Sequence, residues 1–503
     1  MKKKYFRIIL LFFTGFIISG LGTVTNNVFA ESLNIGETIS SVSLGGVYSS
    51  TLTSTGRVFT WGHNGYGQLG DGTTTNQYKP NEITGQFNLE AGETITSVKL
   101  AYDYSAALTS TGRVFTWGHN NFGQIGDGTT VDKHNPTDIT SQFNLNLGET
   151  IISLDTGRYH SFVITSEERV FSWGYNNYGQ LGDGTTDHRL TPVDVTSTLG
   201  LNTEETIIDV SLGKNHSSIL TSEDRIFTWG ANNSGQLGDG TTIDKNSPIE
   251  ITNQFNLDSG ERITSLDLVG YQSSALSSTG RVFTWGRNIE GQIGDGTTVD
   301  KHNPTDITSQ FNLNPDETMT TFVFGFEHSS AVSSTGRVFT WGKNSEGELG
   351  NGMLNFQPRL TPIDITSRFG GETIQSISLG FYHSSAVSST GTLFTWGNNY
   401  YGQLGDGTTI DKNIPTNITD FSMELSIQFD SNGGTSVSSI YENSGVVISS
   451  PIDPTRSGYT FAGWYEDDDT FLNEYTFSTM PNNSITLYAK WIINQYTITF
   501  DSN

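Results

Sequence analysis

The sequence predicts an all-β protein, a seven-bladed β-propeller of four-stranded blades followed by a small C-terminal module. First, a Trp-Gly pair recurs seven times, with a spacing of 56 residues five times and then of 55, and a fixed period of this length indicates a repeat architecture. Second, each copy contains short runs of β-branched and aromatic residues between Gly-containing turns, as antiparallel strands do. Third, 57 of the 503 residues are Gly and only 16% are charged, which favours a turn-rich globular protein. The pairs begin at Trp61, Trp117, Trp173, Trp229, Trp285, Trp341 and Trp396.

Residues 1–30 are typical of a signal peptide. Lys2–Lys4 give a basic start, Ile8–Ile18 is apolar, and Ala30 is the small residue that a signal peptidase requires. An uncleaved anchor is the alternative, but the apolar run is shorter than the ~20 residues of a spanning helix. We therefore expect a secreted or cell-surface (cell wall) protein with no membrane span after cleavage. Export without any cysteine favours a bacterial, Gram-positive source.

Residues 31–422 contain the seven repeats, and each repeat predicts four short strands. In the third copy, 150–154 and 160–165 are the first two strands, and V-F-S-W is the third. In the second copy, Pro136–Ile139 is a short fourth strand, since Pro is tolerated on an edge. The third strand does not alternate apolar and polar residues, which indicates burial on both faces, as between neighbouring blades.

A tight turn joins the second and third strands of each copy. Gly112 supplies the positive φ that such a turn requires. Glu168 and Asp224 replace this Gly in the third and fourth copies, so we expect the turn to adapt there.

Three motifs in the copies carry a resemblance to a known family. They are T-W-G at the end of the third strand, N-x-x-G-Q-L-G-D-G after it, and G-x-x-H-S before the second strand. The copies resemble repeats of the regulator of chromosome condensation family, which implies a seven-bladed propeller. The sixth copy departs from the pattern at Glu348, Asn351 and Met353, so we expect that loop to differ in shape while the fold is kept.

The period is lost in residues 423–494, where a different module begins. Its motifs are F-D-S-N-G-G, then P-T-R-S-G-Y-T-F-A-G-W-Y, then I-T-L-Y-A-K-W. This segment is similar to the Listeria–Bacteroides repeat of the internalin B-repeat type, a β-grasp-like module found in tandem on bacterial surface proteins. F-D-S-N returns at 500–503, so we expect 495–503 to begin a second, truncated module.

Charge and motif content exclude several classes of function. The net charge of -26 repels phosphate backbones, so we expect no nucleic-acid partner. The absence of Cys excludes disulfides, thiolate metal sites and a Cys nucleophile. No G-x-S-x-G, H-E-x-x-H or G-x-x-x-x-G-K motif occurs, and we expect neither catalysis nor a cofactor.

Two repeated positions have both a metal-binding and a structural interpretation. Four imidazoles at one repeat position suggest a metal site, but Tyr or Gln replaces them in other copies, which favours a hydrogen-bonding core residue. Asp71 in the Gly-Asp-Gly-Thr loop suggests Ca²⁺, but the ligand spacing of a calcium loop is missing, and an Asp-closed turn explains the same residues. The first position holds Tyr48, Tyr104, His160, His216, Gln272, His328 and His383.

The residues that vary after each Trp-Gly pair are the candidate partner-binding residues. Variable positions on a loop of fixed frame are usually exposed, and equivalent loops of all blades emerge on one face of a propeller. Exposed aromatic and basic residues there are of the kind that anchors interfaces, whereas unselected drift is the alternative. The candidates are Tyr66, Phe122, Tyr175, Tyr178, Arg287, Lys343, Tyr400 and Tyr401.

These features predict a non-catalytic secreted or cell-surface binding or adhesion protein, expected to be a monomer. The propeller loops would face a protein or glycan partner, and the C-terminal repeats would act as a stalk. The family resemblance implies two alternatives. One is a secreted inhibitor of an extracellular enzyme such as a β-lactamase. The other, guanine-nucleotide exchange on a small GTPase, is disfavoured by the export signal.

Overall fold

The computed structural model describes residues 33–34, 36–419, 425–442, 447–481 and 485–496. The chain divides into two compact units, one within residues 31–423 and one that includes the described residues from 425 onward. The predicted signal peptide lies outside the described residues, and so does most of the predicted second repeat at 495–503. None of the described helices is long and apolar enough to cross a membrane.

The larger unit consists of seven four-stranded antiparallel sheets, and each sheet is built from four consecutive strands. The first three sheets contain β1 Ile39–Leu44, β2 Tyr48–Thr53, β3 Val58–Gly62 and β4 Gln77–Glu82; β5 Ile95–Leu100, β6 Tyr104–Thr109, β7 Val114–Gly118 and β8 Lys133–Asp138; β9 Ile151–Thr156, β10 His160–Thr165, β11 Val170–Gly174 and β12 Arg189–Asp194. The next two contain β13 Ile207–Leu212, β14 His216–Thr221, β15 Ile226–Gly230 and β16 Lys245–Glu250; β17 Ile263–Val269, β18 Gln272–Ser277, β19 Val282–Gly286 and β20 Lys301–Asp306. The last two contain β21 Met319–Phe324, β22 His328–Ser333, β23 Val338–Asn344 and β24 Asn355–Asp364; β25 Ile374–Leu379, β26 His383–Ser388, β27 Leu393–Gly397 and β28 Lys412–Asn417.

The seven sheets form a closed ring. The first strand of each sheet contacts the first strand of the next, and β25 contacts β1. The ring closes by packing between complete sheets, because among the described residues each sheet contains only consecutive strands. The predicted seven-bladed propeller of four-stranded blades is confirmed.

The Trp of each repeat links neighbouring blades. Trp117 is fully buried, and its indole Nε1 donates to the carbonyl of Gln68 in the preceding blade at 2.8 Å. Trp61 makes the same bond to the Gln403 carbonyl at 2.9 Å, so the last blade is joined to the first. Gly70 packs on the Trp117 indole so closely that a Cβ there would lie 2.7 Å from Nε1. The repeated T-W-G and Q-L-G motifs are therefore two halves of one contact between blades.

A short 3₁₀ helix follows the fourth strand of each of the first six blades. In the first of them, Phe87 is fully buried and meets Phe115 of the next blade at a ring-centroid distance of 5.3 Å. The helix thus extends the core between two sheets. The six helices are Thr84–Phe87, Thr140–Phe143, Thr196–Thr198, Thr252–Gln254, Thr308–Phe311 and Thr366–Phe369.

Element positions agree with the prediction, with small shifts in bounds. The first strand of the third copy is Ile151–Thr156 rather than 150–154, and the fourth strand of the second copy is Lys133–Asp138 rather than Pro136–Ile139. Pro136 lies in this edge strand, which pairs only with β7. In the sixth copy the last hairpin is lengthened, since Asn344 pairs with Asn355.

The turn accommodates Glu168 and Asp224 by holding both residues in the left-handed conformation. Glu168 has a φ of 62° and Asp224 a φ of 60°, close to the 84° of Gly112. The amide of each of these residues donates to the carbonyl three residues earlier, at 3.0 to 3.1 Å. The flanking strands therefore impose the turn, and the larger residues adopt the left-handed conformation at some conformational cost.

The C-terminal unit has one four-stranded sheet, as the predicted β-grasp-like module requires. β29 and β32 lie parallel at its centre, and β30 and β31 pair antiparallel at the edges. Trp464 and Leu487 are buried in its core. The strands are β29 Leu425–Asp430, β30 Ile440–Glu442, β31 Tyr459–Tyr465 and β32 Ile485–Ile493.

Candidate functional site

Two loops of each blade meet at the same end of the sheet, which we call the loop face. In the first blade β2 is antiparallel to β3, so Tyr48 at the start of β2 lies opposite Gly62 at the end of β3. The amide of His63 donates to the carbonyl of Val47 at 3.0 Å, and the other six blades contain the same bond. The loop between the first two strands is named the Gly–His turn, and the loop after the third strand the Trp–Gly loop. The Gly–His turns are 45–47, 101–103, 157–159, 213–215, 270–271, 325–327 and 380–382, and the Trp–Gly loops are 63–67, 119–123, 175–179, 231–235, 287–291, 343–347 and 398–402.

The repeated Asn fixes the frame of each Trp–Gly loop. The Asn64 side chain accepts from the amide of Leu69 at 3.0 Å and donates to the carbonyls of Thr73 and Thr75 at 3.2 and 3.0 Å. Asp71 accepts from the amide of Thr73 at 2.9 Å, so the predicted Asp-closed turn is confirmed. The repeated residues therefore have a structural role, and the residues between them are free to vary.

Neighbouring Trp–Gly loops place five of the predicted aromatic residues in one array, and the sixth, Tyr400, lies beside it, 4.8 Å from Tyr401. Tyr401 of the seventh blade lies against His63, with ring centroids 4.7 Å apart, and Tyr66 lies 4.6 Å from His119 of the second blade. His119 meets Phe122 in its own loop at 6.4 Å.

The array continues into the third blade. Phe122 lies 4.8 Å from Tyr175, which meets Tyr178 at 6.3 Å. We call the resulting band the aromatic arc. It spans blades seven, one, two and three, and consists of Tyr401, His63, Tyr66, His119, Phe122, Tyr175 and Tyr178.

Exposure differs among these predicted residues. Tyr400 is 70% exposed, Tyr66 39% and Tyr178 38%. Phe122 and Tyr175 are half-buried because they pack on each other, and Tyr401 is half-buried because it packs on His63. The arc therefore presents ring edges and faces to solvent while its members support each other.

Variable positions on a loop of fixed frame are usually exposed, but two of those in the Trp–Gly loops are not. His119 and Ala231 are buried. The Nδ1 of His119 lies 3.0 Å from Nε2 of Gln124, and burial lowers the pKa of His119. His119 thus supports the arc from beneath rather than forming its surface.

Arg287 and Lys343 lie outside the aromatic arc, on blades five and six. The Lys343 ammonium pairs with Glu327 at 2.9 Å and lies 4.6 Å from the centre of the Tyr382 ring. The Arg287 guanidinium lies 5.5 Å from the centre of the Tyr271 ring. Both contact the Gly–His turns rather than the aromatic Trp–Gly loops.

The sequence analysis missed the Gly–His turns as a source of functional residues. Their variable side chains gather around the propeller axis, where Phe326 and Phe381 stack at 4.3 Å with planes 10° apart and Tyr102 lies 4.7 Å from Phe381. A depression with an open volume of about 470 Å³ lies there, lined by Tyr102, Phe381, Arg158 and Lys214 among others. The two variable positions of the G-x-x-H-S motif are the sequence feature that could have indicated these residues.

The repeated His position forms hydrogen bonds between blades, as the core interpretation predicted. All seven residues at this position are fully buried. His160 Nε2 lies 3.0 Å from Ser217 Oγ of the next blade, and His383 Nε2 lies 3.0 Å from Ser49 Oγ across the ring closure. Tyr48 uses its hydroxyl in the same way, donating to the Tyr104 carbonyl at 2.6 Å.

The axial channel beneath the depression contains charged residues where other blades have Ser. Lys99 pairs with Asp155 at 3.2 Å, and that carboxylate raises the pKa of Lys99. Burial raises the pKa of Asp209 to about 6 and that of Asp267 to about 7. The carboxylate of Asp267 accepts from the amide of Phe324 at 2.8 Å. Within the described part of the chain, no three His, Asp or Glu side chains are placed to hold a metal ion.

Family models match most of the chain. The RCC1-like domain model matches residues 196–450, and the model of the regulator of chromosome condensation (RCC1) repeat matches 55–108, 111–164 and 167–220. A Listeria-Bacteroides repeat domain model matches 426–490.

Similar proteins have diverse roles. The ultraviolet-B receptor UVR8 of Arabidopsis thaliana is 28% identical over 384 residues, which cover 76% of this chain and 82% of the receptor. The human E3 ubiquitin-protein ligase HERC2 is 28% identical over 372 residues, but the match covers only 7% of the ligase. The crystal structure of Prp20p from Saccharomyces cerevisiae superposes with a TM-score of 0.61 at 23% identity, over 74% of this chain and 87% of Prp20p. At that identity the likeness to Prp20p concerns the fold.

Proposed function

This chain belongs to the RCC1-like family of β-propellers, and on that premise we propose that it is a non-catalytic binding protein whose loop face holds a partner at a cell surface. The members of the family that it resembles include a receptor. The repeat positions that could suggest catalysis or metal binding are occupied by structural hydrogen bonds.

The aromatic arc is the observation that carries the proposal. Tyr66, Phe122, Tyr175, Tyr178 and Tyr401 come from four different loops and still pack into one band through their ring contacts. Large, rigid aromatic side chains provide contact area at low entropic cost and are enriched among interface anchors. A band of this kind supports binding to a flat protein surface or to the faces of sugar rings.

The C-terminal module supports a location outside the cell. A Listeria-Bacteroides repeat domain is matched at residues 426–490, and this repeat is typical of bacterial surface proteins. Together with the signal-peptide pattern of residues 1–30, it favours a secreted or wall-associated adhesin in which the C-terminal repeats serve as a spacer. A secreted inhibitor of an extracellular enzyme would use the same arc.

The test uses the full chain without residues 1–30. Binding to panels of immobilised glycans, surface proteins and secreted enzymes, β-lactamases included, is measured by surface plasmon resonance. The variant Tyr66→Ala/Phe122→Ala/Tyr178→Ala/Tyr401→Ala is expected to lose any interaction found, because about 2 kcal/mol or more is lost per anchor residue. The control variant is Leu147→Ala/Thr203→Ala. These two exposed residues precede the first strands of their blades and lie at the end opposite the loop face. Equal binding by both variants would refute the assignment of the arc.

A further inference from the structure

The depression at the propeller axis contains two cations, and neither forms a direct ion pair with a carboxylate of the described residues. Arg158 and Lys214 line it, at equivalent positions of the third and fourth blades. Among the described residues, no carboxylate oxygen lies within 4 Å of either charged group, although the chain as a whole is strongly acidic. Two cations that contact aromatic rings without a direct carboxylate partner therefore distinguish this depression from the ion-paired arginines of the repeats.

The contrast with the repeat arginines shows what is unusual about Arg158. Arg113 pairs with Glu93 at 2.9 Å and with Asp138 at 2.8 Å, and the equivalent Arg residues of other blades do the same. Arg113 also lies over one aromatic ring, that of Phe115, at 4.7 Å. Arg158 forms no such ion pair with the described residues and lies between two rings, 4.0 Å from the centre of Tyr102 and 4.9 Å from that of Tyr159.

The side chain of Arg158 forms hydrogen bonds with Tyr102 and Tyr159, but one of its N–H groups has no acceptor among the described residues. Its Nε is fully buried and has no hydrogen-bond partner. A buried N–H of a charged group that lacks an acceptor is costly, so a ligand that supplies one gains that energy on binding. Because a guanidinium presents a planar edge of N–H groups, the matching acceptor is a carboxylate.

Lys214 and the stacked Phe rings define the remainder of the site. The Lys214 ammonium donates to the hydroxyl of Tyr271 and lies 4.1 Å from the centre of that ring. Phe326 and Phe381 form a flat apolar wall beside it. Flat apolar groups pack well against such a wall.

We propose that this depression binds a ligand with one carboxylate attached to a flat apolar group. The Arg158 N–H edge and the Lys214 ammonium hold the carboxylate, and Tyr102, Phe326 and Phe381 receive the flat group. A single charge is favoured over a polyanion, because Asp103 and Glu327 lie in the same turns and the whole chain is acidic. Tyr159 lies between this site and the aromatic arc, 5.3 Å from Phe122. The side chains that would hold the ligand are not those of the arc, so the site does not depend on the proposed function.

Two sources of this chemistry are distinguished by the choice of probe. N-acetylphenylalanine represents the C-terminus of a peptide, and benzoate represents a free aromatic acid. Benzamide and N-acetylphenylalaninamide are the matched neutral probes. Titration is followed by isothermal calorimetry and by saturation-transfer NMR with the full chain. The acid that binds more tightly, N-acetylphenylalanine or benzoate, identifies the source. Either result supports the site if each amide binds at least about tenfold more weakly than its acid.

Variants test the assigned residues. Arg158→Met and Lys214→Met are each expected to weaken carboxylate binding about tenfold or more. Arg158→Lys keeps the charge but loses the planar set of N–H donors of the guanidinium. It is expected to weaken carboxylate binding nearly as much as Arg158→Met does. The control Arg262→Met/Arg359→Met removes two exposed charges elsewhere and is expected to bind as the original chain does. The thermal unfolding midpoint shows that each variant is folded. Equal affinity for acids and amides, no detectable binding of either acid, or unchanged binding by folded Arg158→Met would overturn the proposal.

Discussion

Replacing Glu348 with Gln is expected to stabilise the propeller in a strongly pH-dependent way. The other six blades have Gln at this position. Glu348 is fully buried, one carboxylate oxygen accepts from the amide of Glu346 at 2.8 Å, and Oε1 has no partner. Burial raises the pKa of Glu348 to about 7.

The size of the effect follows from this pKa. An unfolded Glu ionises near 4.5, so the folded state holds its proton more tightly and loses stability as the pH rises from 4.5 through 7. The difference of about 2.5 pH units, at 1.36 kcal/mol per unit, corresponds to about 3 kcal/mol. The amide nitrogen of a Gln here can remain unpaired, as that of Gln292 does, at a cost of about 1 kcal/mol. A gain of about 2 kcal/mol should therefore remain at pH 8, with little or none at pH 5.

Urea unfolding at pH 5 and pH 8, followed by the fluorescence of the buried Trp residues, measures this gain. A blade array can unfold in more than one step, so the m value is compared between variants along with the midpoint. Gln292→Glu is the matched control, because it creates the same buried carboxyl in the fifth blade. It should destabilise the protein at pH 8 and much less at pH 5. A gain for Glu348→Gln that is equal at both pH values, or absent at pH 8, would refute the reasoning.

Three further predictions concern the repeats. Gly126→Ala places a Cβ 2.7 Å from Trp173 Nε1, and it should lower the free energy of unfolding measured with urea by about 2–4 kcal/mol. The control Gly148→Ala should lower it by about 1 kcal/mol, because the φ is also positive there but no atom lies within 4 Å of the new Cβ. Although burial raises the pKa of Glu261, hydrogen bonds, led by that with Ser277, hold it at about 2. Its stabilising contribution should be lost as the pH falls from 4.5 toward 2, so acid unfolding followed by circular dichroism should be shallower for Glu261→Gln, and an identical profile would contradict this. Glu168→Gly should raise the free energy of unfolding by about 0.5–1 kcal/mol, because Gly adopts the left-handed φ without strain; a loss of stability would contradict that account.

The sequence alone determined the parts of this protein that repeat. A period of 56 residues with a strand-forming pattern fixes the number and type of blades, since no single blade can bury both of its faces. Local chemistry also predicted the Asp-closed turn of Asp71 and the aromatic side chains of the Trp–Gly loops. The predictions of the strands and of the Asp71 turn succeeded because turns and strands depend on neighbours in the sequence. The partner-binding role of the aromatic residues stays a prediction.

Only the tertiary structure decided which side chains of different blades meet. Tyr66 contacts His119, and Arg158 lies on Tyr102, because the ring brings residues about 56 positions apart into contact. The guanidinium of Arg113 pairs with a carboxylate, whereas that of Arg158 forms no ion pair with the described residues. Glu168 adopts the backbone conformation of the Gly that it replaces. Burial, charge pairing and an imposed backbone conformation are properties of the assembled ring, and a repeat read by itself does not contain them.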